Sequence, residues 1–203
     1  MSIKLILASA SPRRLDLLRQ AGVEPEIQVA EVAELTNELP PAELVQANAR
    51  LKAEAVAALQ PQNGAEAAEV YIVAADTVVA LQQAGAWRIF GKPADAAEAG
   101  RMLQALSGRA HSVFTGVAVW HAGLLQSGVA ESRVHFRELG AAEIAAYVSG
   151  GEPLDKAGAY AIQGEAGNFV QKLVGDVDNI IGLPLRLLFE MLPEGALPGY
   201  STN

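Results

Sequence analysis

The chain contains no cysteine. That excludes disulfides, thiol nucleophiles and thiolate metal ligands together, and it suits a reducing cytosol, the compartment expected for it. Histidine is scarce too: His111, His121 and His135 are spaced too widely for a zinc-ligand pattern, and each falls in a stretch that reads as strand. No apolar run reaches the ~18 residues of a membrane span, and the best stretch, 70–81, is interrupted by Asp76. The apolar residues behind Lys4 fall short of the ~7–15 of a signal-peptide core and lead straight into arginines, so they read as a core strand. Neither the P-loop nor the Gly-x-Gly-x-x-Gly fingerprint is present, and there is no Gly-x-Ser-x-Gly nucleophile elbow. Positive charge is in deficit, with 15 Lys and Arg against 23 Asp and Glu and a net charge of −8. Nucleic-acid binding rests on clustered cations, so neither nucleic acid nor membrane is expected as a partner. A small polyphosphate can still be held where a few cations converge with a divalent metal.

What remains is a folding chain: 51% of its 203 residues are hydrophobic and 19% charged. Its length suits a single domain over residues 1–203, or one domain with two lobes, fraying from about residue 194. Strands and helices alternate. A strand over 3–8 leads to a helix from Pro12 to the stop at Gly22, and a short strand is expected over 27–29. Pro40-Pro41 opens a long helix with Leu44, Asn48, Leu51, Ala55 and Leu59 on one stripe, followed by a polar loop over 60–69. A β-rich run over 70–81 continues into a hairpin around 82–85 with Trp87–Phe90, and Asp95 with Glu98 makes a capping-box start for the next helix. Strands over 111–121 and 124–137, a helix over 141–148, a glycine-rich loop over 150–167, a strand over 169–174 and a helix over 183–192 complete the pattern. The fold class is mixed α/β, with a central twisted mixed sheet flanked by helices.

Four places concentrate polar chemistry. Ser11 and Pro12 are good residues for an N-cap and a first helical position, yet Arg13 and Arg14 then occupy a first turn where a cation costs about 0.3–1 kcal/mol. An anion among them would reverse that sign; the alternative is two arginines reaching into water. Asp76 breaks the apolar run 70–75 and needs a metal, a cation or hydrogen bonds, with Thr77 beside it; the other reading is an Asp satisfying backbone where the strand bends. One turn apart in the long helix, Asn48 and Lys52 lie on or beside the stripe, so Lys52 either faces a cleft or snorkels with a buried stem. In the segment 155–164, Gln163 can donate and accept, which suits the edge of a nucleobase, although the whole could be an ordinary Ω-loop.

These segments together resemble the Maf family of nucleoside triphosphate pyrophosphatases. The resemblance rests on residues 7–14 (Leu-Ala-Ser-Ala-Ser-Pro-Arg-Arg), Ala75-Asp76-Thr77-Val78, Gly91-Lys92-Pro93, Leu106-Ser107-Gly108, the run 151–160, Ile162-Gln163-Gly164 and Gly182-Leu183-Pro184-Leu185. It implies two lobes around a nucleotide cleft and hydrolysis between the α and β phosphates, a phosphoanhydride reaction yielding a monophosphate and pyrophosphate with Mg²⁺ or Mn²⁺. Ser-Pro-Arg-Arg, Ala-Asp-Thr and Ala-Ile-Gln-Gly resemble the branch acting on dTTP and UTP. By this likeness Asp76 is the catalytic position. Arg13, Arg14, Lys52 and Lys92 bind substrate, Arg13, Thr77 and Gln163 set base specificity, and Asp76 with Glu34 holds the metal. Val177 stands where an aromatic is usual and Gly150 where Ser is common, departures outside the catalytic set. The resemblance leaves open a homodimer and two other functions, a pyrophosphatase for 7-methyl-GTP and a non-catalytic nucleotide-binding regulator of cell division.

Overall fold

The structure, a computed structural model, describes residues 3–36, 39–60, 70–196 and 198–199. The loop expected over 60–69 falls outside the described residues except for Gln60. In chain order the elements are β1 (Lys4–Leu7), α1 (Pro12–Gln20), β2 (Glu26–Ile27), α2 (Pro41–Ala57), β3 (Val70–Gln83), β4 (Ala86–Phe90), α3 (Ala96–Leu106), β5 (Ala110–His121), β6 (Leu124–Phe136), α4 (Ala141–Ser149), β7 (Val170–Val174), α5 (Val177–Ile181) and α6 (Leu185–Met191). Among the described residues seven strands make one mixed sheet in the order β2-β1-β3-β5-β6-β7, with β4 paired to β3. No helix among them is long and apolar enough to cross a membrane.

The chain divides into two compact units. One comprises Met1–Asp76, Thr115–Ala130 and Gly182–Asn203, the other Thr77–Phe114 and Glu131–Ile181, so β3, β5 and β6 each contribute to both.

In the first unit β1 runs parallel to β2 and to the start of β3. Helix α2 packs on this sheet through Ala49, Ala53, Val56 and Ala57, against Ile6, Ile72, Ala74 and Ala118. A Cβ at Gly116 would lie 2.3 Å from the Val45 carbonyl oxygen, so β5 passes against the backbone of α2. Small residues decide this contact and rotate the helix away from the stripe expected by hydropathy. Leu44 is buried as expected, but Leu51 and Leu59 are exposed. Burying alanines lets helix and sheet backbones approach, where leucines would hold them apart. The short strand near residue 27 is Glu26–Ile27, and Val29 is exposed beyond it. At the far end of the chain, the Gly199 N–H donates to the Ala21 carbonyl at 2.8 Å and Ala196 is buried, so the described part of the tail is pinned rather than frayed.

In the second unit the expected hairpin forms around Ala84-Gly85, and in the first unit Ala122-Gly123 is the matching turn between β5 and β6, each pair with both residues at positive φ (49° and 81°, 48° and 83°). That is the type I′ geometry matching the right-handed twist of the strands. Helix α3 starts as the capping pattern requires: the Glu98 N–H donates to Asp95 Oδ1 at 2.7 Å, while the Glu98 carboxylate takes the Ala94 N–H, one residue earlier than the motif's usual partner. The helix expected over 183–192 is α6, in the first unit, and a further short helix that was not expected, α5, ends the second unit just before Gly182 at φ 123°.

The core of this unit holds an aromatic cluster around His111. His111 is 2% exposed, and its Nε2 lies 2.9 Å from the Tyr160 hydroxyl. Burial pushes the Tyr160 phenol far up, so its hydroxyl donates to a neutral imidazole. The imidazole pKa falls from 6.5 to about 4, chiefly because burial disfavours the cation, with His135 adding to the fall and the Arg109 backbone opposing it. Stability from this group is therefore complete above 6.5 and is lost as pH falls through 4. From pH 7 to pH 4 the loss from His111 is about 3 kcal/mol. In an NMR titration of the folded protein the His111 ring is expected to remain neutral at pH 5.5. A midpoint near the ordinary 6.5 would contradict its burial.

Candidate active site

The carboxyl ends of the parallel pair β1–β3 are where polar groups collect. Leu7 is in register with Val73, and the Ala8 N–H donates to the Val73 carbonyl at 2.8 Å. The chain then leaves β1 at Ser9 while β3 carries on to Asp76. Ligands of open α/β sheets are held at such strand ends.

Ser9, 7% exposed, organises the turn into α1. Its Oγ accepts from the Ser11 N–H at 3.2 Å and from Arg14 Nη1 at 3.0 Å. Arg14 Nε donates to the Gly182 carbonyl at 2.7 Å, which pins the guanidinium from a second side. Ser11 is the N-cap and Pro12 stands at the helix start, as expected, but the Ser11 side chain makes no capping bond. Desolvation lowers the Arg14 pKa; the Asp76 carboxylate opposes that, Arg13 adds to it, and Glu34 opposes it more weakly. Arg13, Arg14, Glu34 and Asp76 thus share one electrostatic neighbourhood.

Asp76 itself is 9% exposed, with each carboxylate oxygen held by a different residue of α2. Lys52 Nζ lies 2.7 Å from Oδ1, and Asn48 Nδ2 donates to Oδ2 at 3.1 Å. Residues one helical turn apart stand one above the other on a single face, so α2 presents the pair together. Lys52 Nζ also meets Glu34 Oε1 at 3.1 Å, which decides between the two readings of that lysine: its ammonium is an ion-pair partner inside the unit. Asn48 spends its remaining capacity on the loop that carries Glu34. It accepts from the Leu35 N–H at 2.8 Å and donates to the Leu35 carbonyl at 3.0 Å.

Five of the residues singled out in the sequence, Arg13, Arg14, Glu34, Lys52 and Asp76, are therefore gathered in the first unit. Thr77, Lys92 and Gln163 belong to the second. There Thr77 is half-buried in β3, and Lys92 is exposed in the turn after β4, where the Gly91 carbonyl accepts from the Gly158 N–H at 3.0 Å. Gln163 is exposed in a turn closed by the Gly164 N–H on the Ala161 carbonyl at 3.1 Å. Sequence reasoning missed Ser9 and Asn48 as members of the cluster. For Asn48 a signal existed, an amide on a helix face one turn from a lysine; for Ser9 there was none beyond its place in the turn. Among the described residues no group of three or more histidine or acidic side chains could hold a metal ion. Asp76 and Glu34 are a pair of carboxylates converging on one cation, the ammonium of Lys52.

The family model for Maf-like proteins matches residues 4–195. A protein of Gloeobacter violaceus named dTTP/UTP pyrophosphatase is 45% identical over 195 residues, covering 96% of this chain and 97% of its own. A Moorella thermoacetica protein of the same name is 46% identical, covering 93% of each chain. One from Brucella abortus, again named dTTP/UTP pyrophosphatase, is 45% identical over 98% of this chain and 94% of its own.

Proposed function

Because the chain belongs to the Maf-like family, we propose that it is a nucleoside triphosphate pyrophosphatase acting on dTTP and UTP. The names of its relatives support the substrate class. The observation that supports the chemistry is the Asp76–Lys52–Glu34 cluster in the same neighbourhood as Arg14.

Asp76 and Glu34 offer the oxygen donors that a hard divalent cation takes together with phosphate oxygens, so these two would hold Mg²⁺ or Mn²⁺. When bound, such an ion supplies charge neutralisation for the triphosphate and polarises the phosphoryl group. The protein's own groups do the rest. Arg13, Arg14 and Lys52 receive the triphosphate and stabilise the charge that grows on the leaving pyrophosphate. Asp76 orients water and takes its proton as the water oxygen bonds to the α-phosphorus. The bond from that phosphorus to the α–β bridging oxygen breaks, and its electron pair leaves with pyrophosphate. Lys52 exchanges its carboxylate partner for phosphate during this step, while Asn48 keeps Asp76 aligned from the other oxygen. Lys92, Thr77 and Gln163 keep the roles that the family resemblance implies, phosphate contact for Lys92 and base discrimination for the other two. A cytoplasmic location belongs to the same reading, and a chain without cysteine is compatible with a reducing compartment.

The bond that breaks is testable by phosphorus NMR of a dTTP reaction with Mg²⁺. Thymidine monophosphate and pyrophosphate are expected. Thymidine diphosphate with orthophosphate would mean attack at the terminal phosphorus and would overturn the proposal.

A further inference from the structure

We propose that Tyr147 and Glu152 are a positioning pair that sets the turn carrying Gln163 and thereby governs discrimination among bases; this rests on the pyrophosphatase reading and on Gln163 as a base-contacting residue. Tyr147 is the buried aromatic of α4, 4% exposed, with its ring edge-on to Phe169 at 5.1 Å. Its hydroxyl donates to Glu152 Oε1 at 2.8 Å. Burial, and then the bond to Glu152, push the phenol well up, so the hydroxyl keeps its proton and is the donor.

From these two groups, bonds run to both ends of the Gln163 turn. The Tyr147 hydroxyl oxygen accepts from the Ala161 N–H at 3.4 Å, ahead of the turn. Behind it, Glu152 Oε2 accepts from the Glu165 N–H at 3.3 Å. Between them, the backbone of Gly164 lies directly on the carboxylate: a Cβ there would be 2.2 Å from Glu152 Oε1. Glu152 is itself held through its backbone, whose carbonyl accepts from Lys156 Nζ at 2.7 Å. A half-buried carboxylate that accepts from a buried phenol and from one backbone N–H ties the turn to α4, so the two ends of the turn are fixed together. The two anchored N–H groups flank Ile162 and Gln163, leaving the exposed side chain of Gln163 at the free side of a fixed loop. A misplacement of about 1 Å in such a contact costs up to ~10²-fold in rate, which gives these two residues leverage over a base they need not touch.

The test compares pyrophosphate release from dTTP, UTP and CTP by the full-length wild type with Tyr147→Phe, Glu152→Gln, Gln163→Ala and the double variant Tyr147→Phe/Gln163→Ala. Tyr147→Phe keeps the buried ring and removes only the hydroxyl. Both Tyr147→Phe and Glu152→Gln are expected to raise KM for dTTP about tenfold and to lower the preference for dTTP over CTP about tenfold, with kcat falling less than about threefold, the pattern of lost binding rather than lost chemistry. The double variant is expected to lose no more preference than Gln163→Ala alone, because Tyr147 acts through Gln163. An active wild type whose folded variants keep its preference, or a double variant with additive losses, would overturn the positioning role alone. An inert wild type would overturn it together with the pyrophosphatase reading.

Discussion

Replacing Asp76 with Asn is expected to lower pyrophosphate release by at least ~10²–10³-fold, the range seen when one pre-organised charged or hydrogen-bonding group is removed from a transition state. Asn keeps the volume of the side chain and one carbonyl oxygen, so either Lys52 or Asn48 retains an acceptor where Asp76 now supplies both. What disappears is the negative charge, and with it the capacity to accept a proton from water. The ammonium of Lys52 keeps Glu34 as a partner at 3.1 Å, so the substitution does not strand a buried charge. A shift of the melting transition by less than about 5 °C, roughly 1–2 kcal/mol for a chain of this length, is therefore expected. A stopped reaction with an unmoved transition would separate chemistry from folding. Near-normal turnover would remove Asp76 from the mechanism.

Lys52→Met is expected to produce the second large effect, a ~10²–10³-fold loss of kcat/KM for dTTP. The thioether fills the space of the lysine stem but leaves Asp76 and Glu34 facing each other without the cation that each now contacts. Like charges brought together in a partly buried site repel, and the triphosphate adds more negative charge to the same place. Lowered affinity for substrate should accompany the lowered rate, in contrast to Asp76→Asn. The check is the variant's separate kcat and KM across a Mg²⁺ titration. If excess Mg²⁺ restores most of the activity, Lys52 serves as a counter-charge between the carboxylates; if it does not, the ammonium is required at the phosphates.

Much of this site was legible because its residues contradict their surroundings. A carboxylate after the apolar run 70–75 and two arginines at a helix start are each locally unfavourable; Asp76 is met by Lys52 and Asn48, and Arg14 is held by Ser9 Oγ and the Gly182 carbonyl. Asn48 was harder to see, since its function lies in bonds to Leu35 and Asp76, 13 and 28 residues away in the chain. An amide side chain carries no charge to betray its partners, and the one local signal, its place one turn from Lys52, does not say which groups it bonds. The same limit explains the misplaced face of α2. Hydropathy ranks leucine above alanine, yet the contact with β5 is set by how closely backbones can approach at Gly116, and the leucines turn outward. Strand and turn positions were more readable. The run 70–81, the Ala84-Gly85 and Ala122-Gly123 turns and the Asp95 cap all depend on neighbours within a few residues. The short helix α5 falls between the expected strand over 169–174 and the expected helix over 183–192, where a five-residue segment is too short to show a helical period.

The most direct measurement is pyrophosphate release by the purified protein with Mg²⁺ across dTTP, UTP, CTP, 7-methyl-GTP, ATP and GTP. Rapid release from dTTP and UTP, at least about tenfold above the other nucleotides, is the expected result. Release from 7-methyl-GTP alone would keep the hydrolytic chemistry and contradict the assignment of Thr77 and Gln163. Nucleotide binding with no release from any of the six would contradict the catalytic role of the Asp76 cluster and leave a nucleotide-binding regulator in its place.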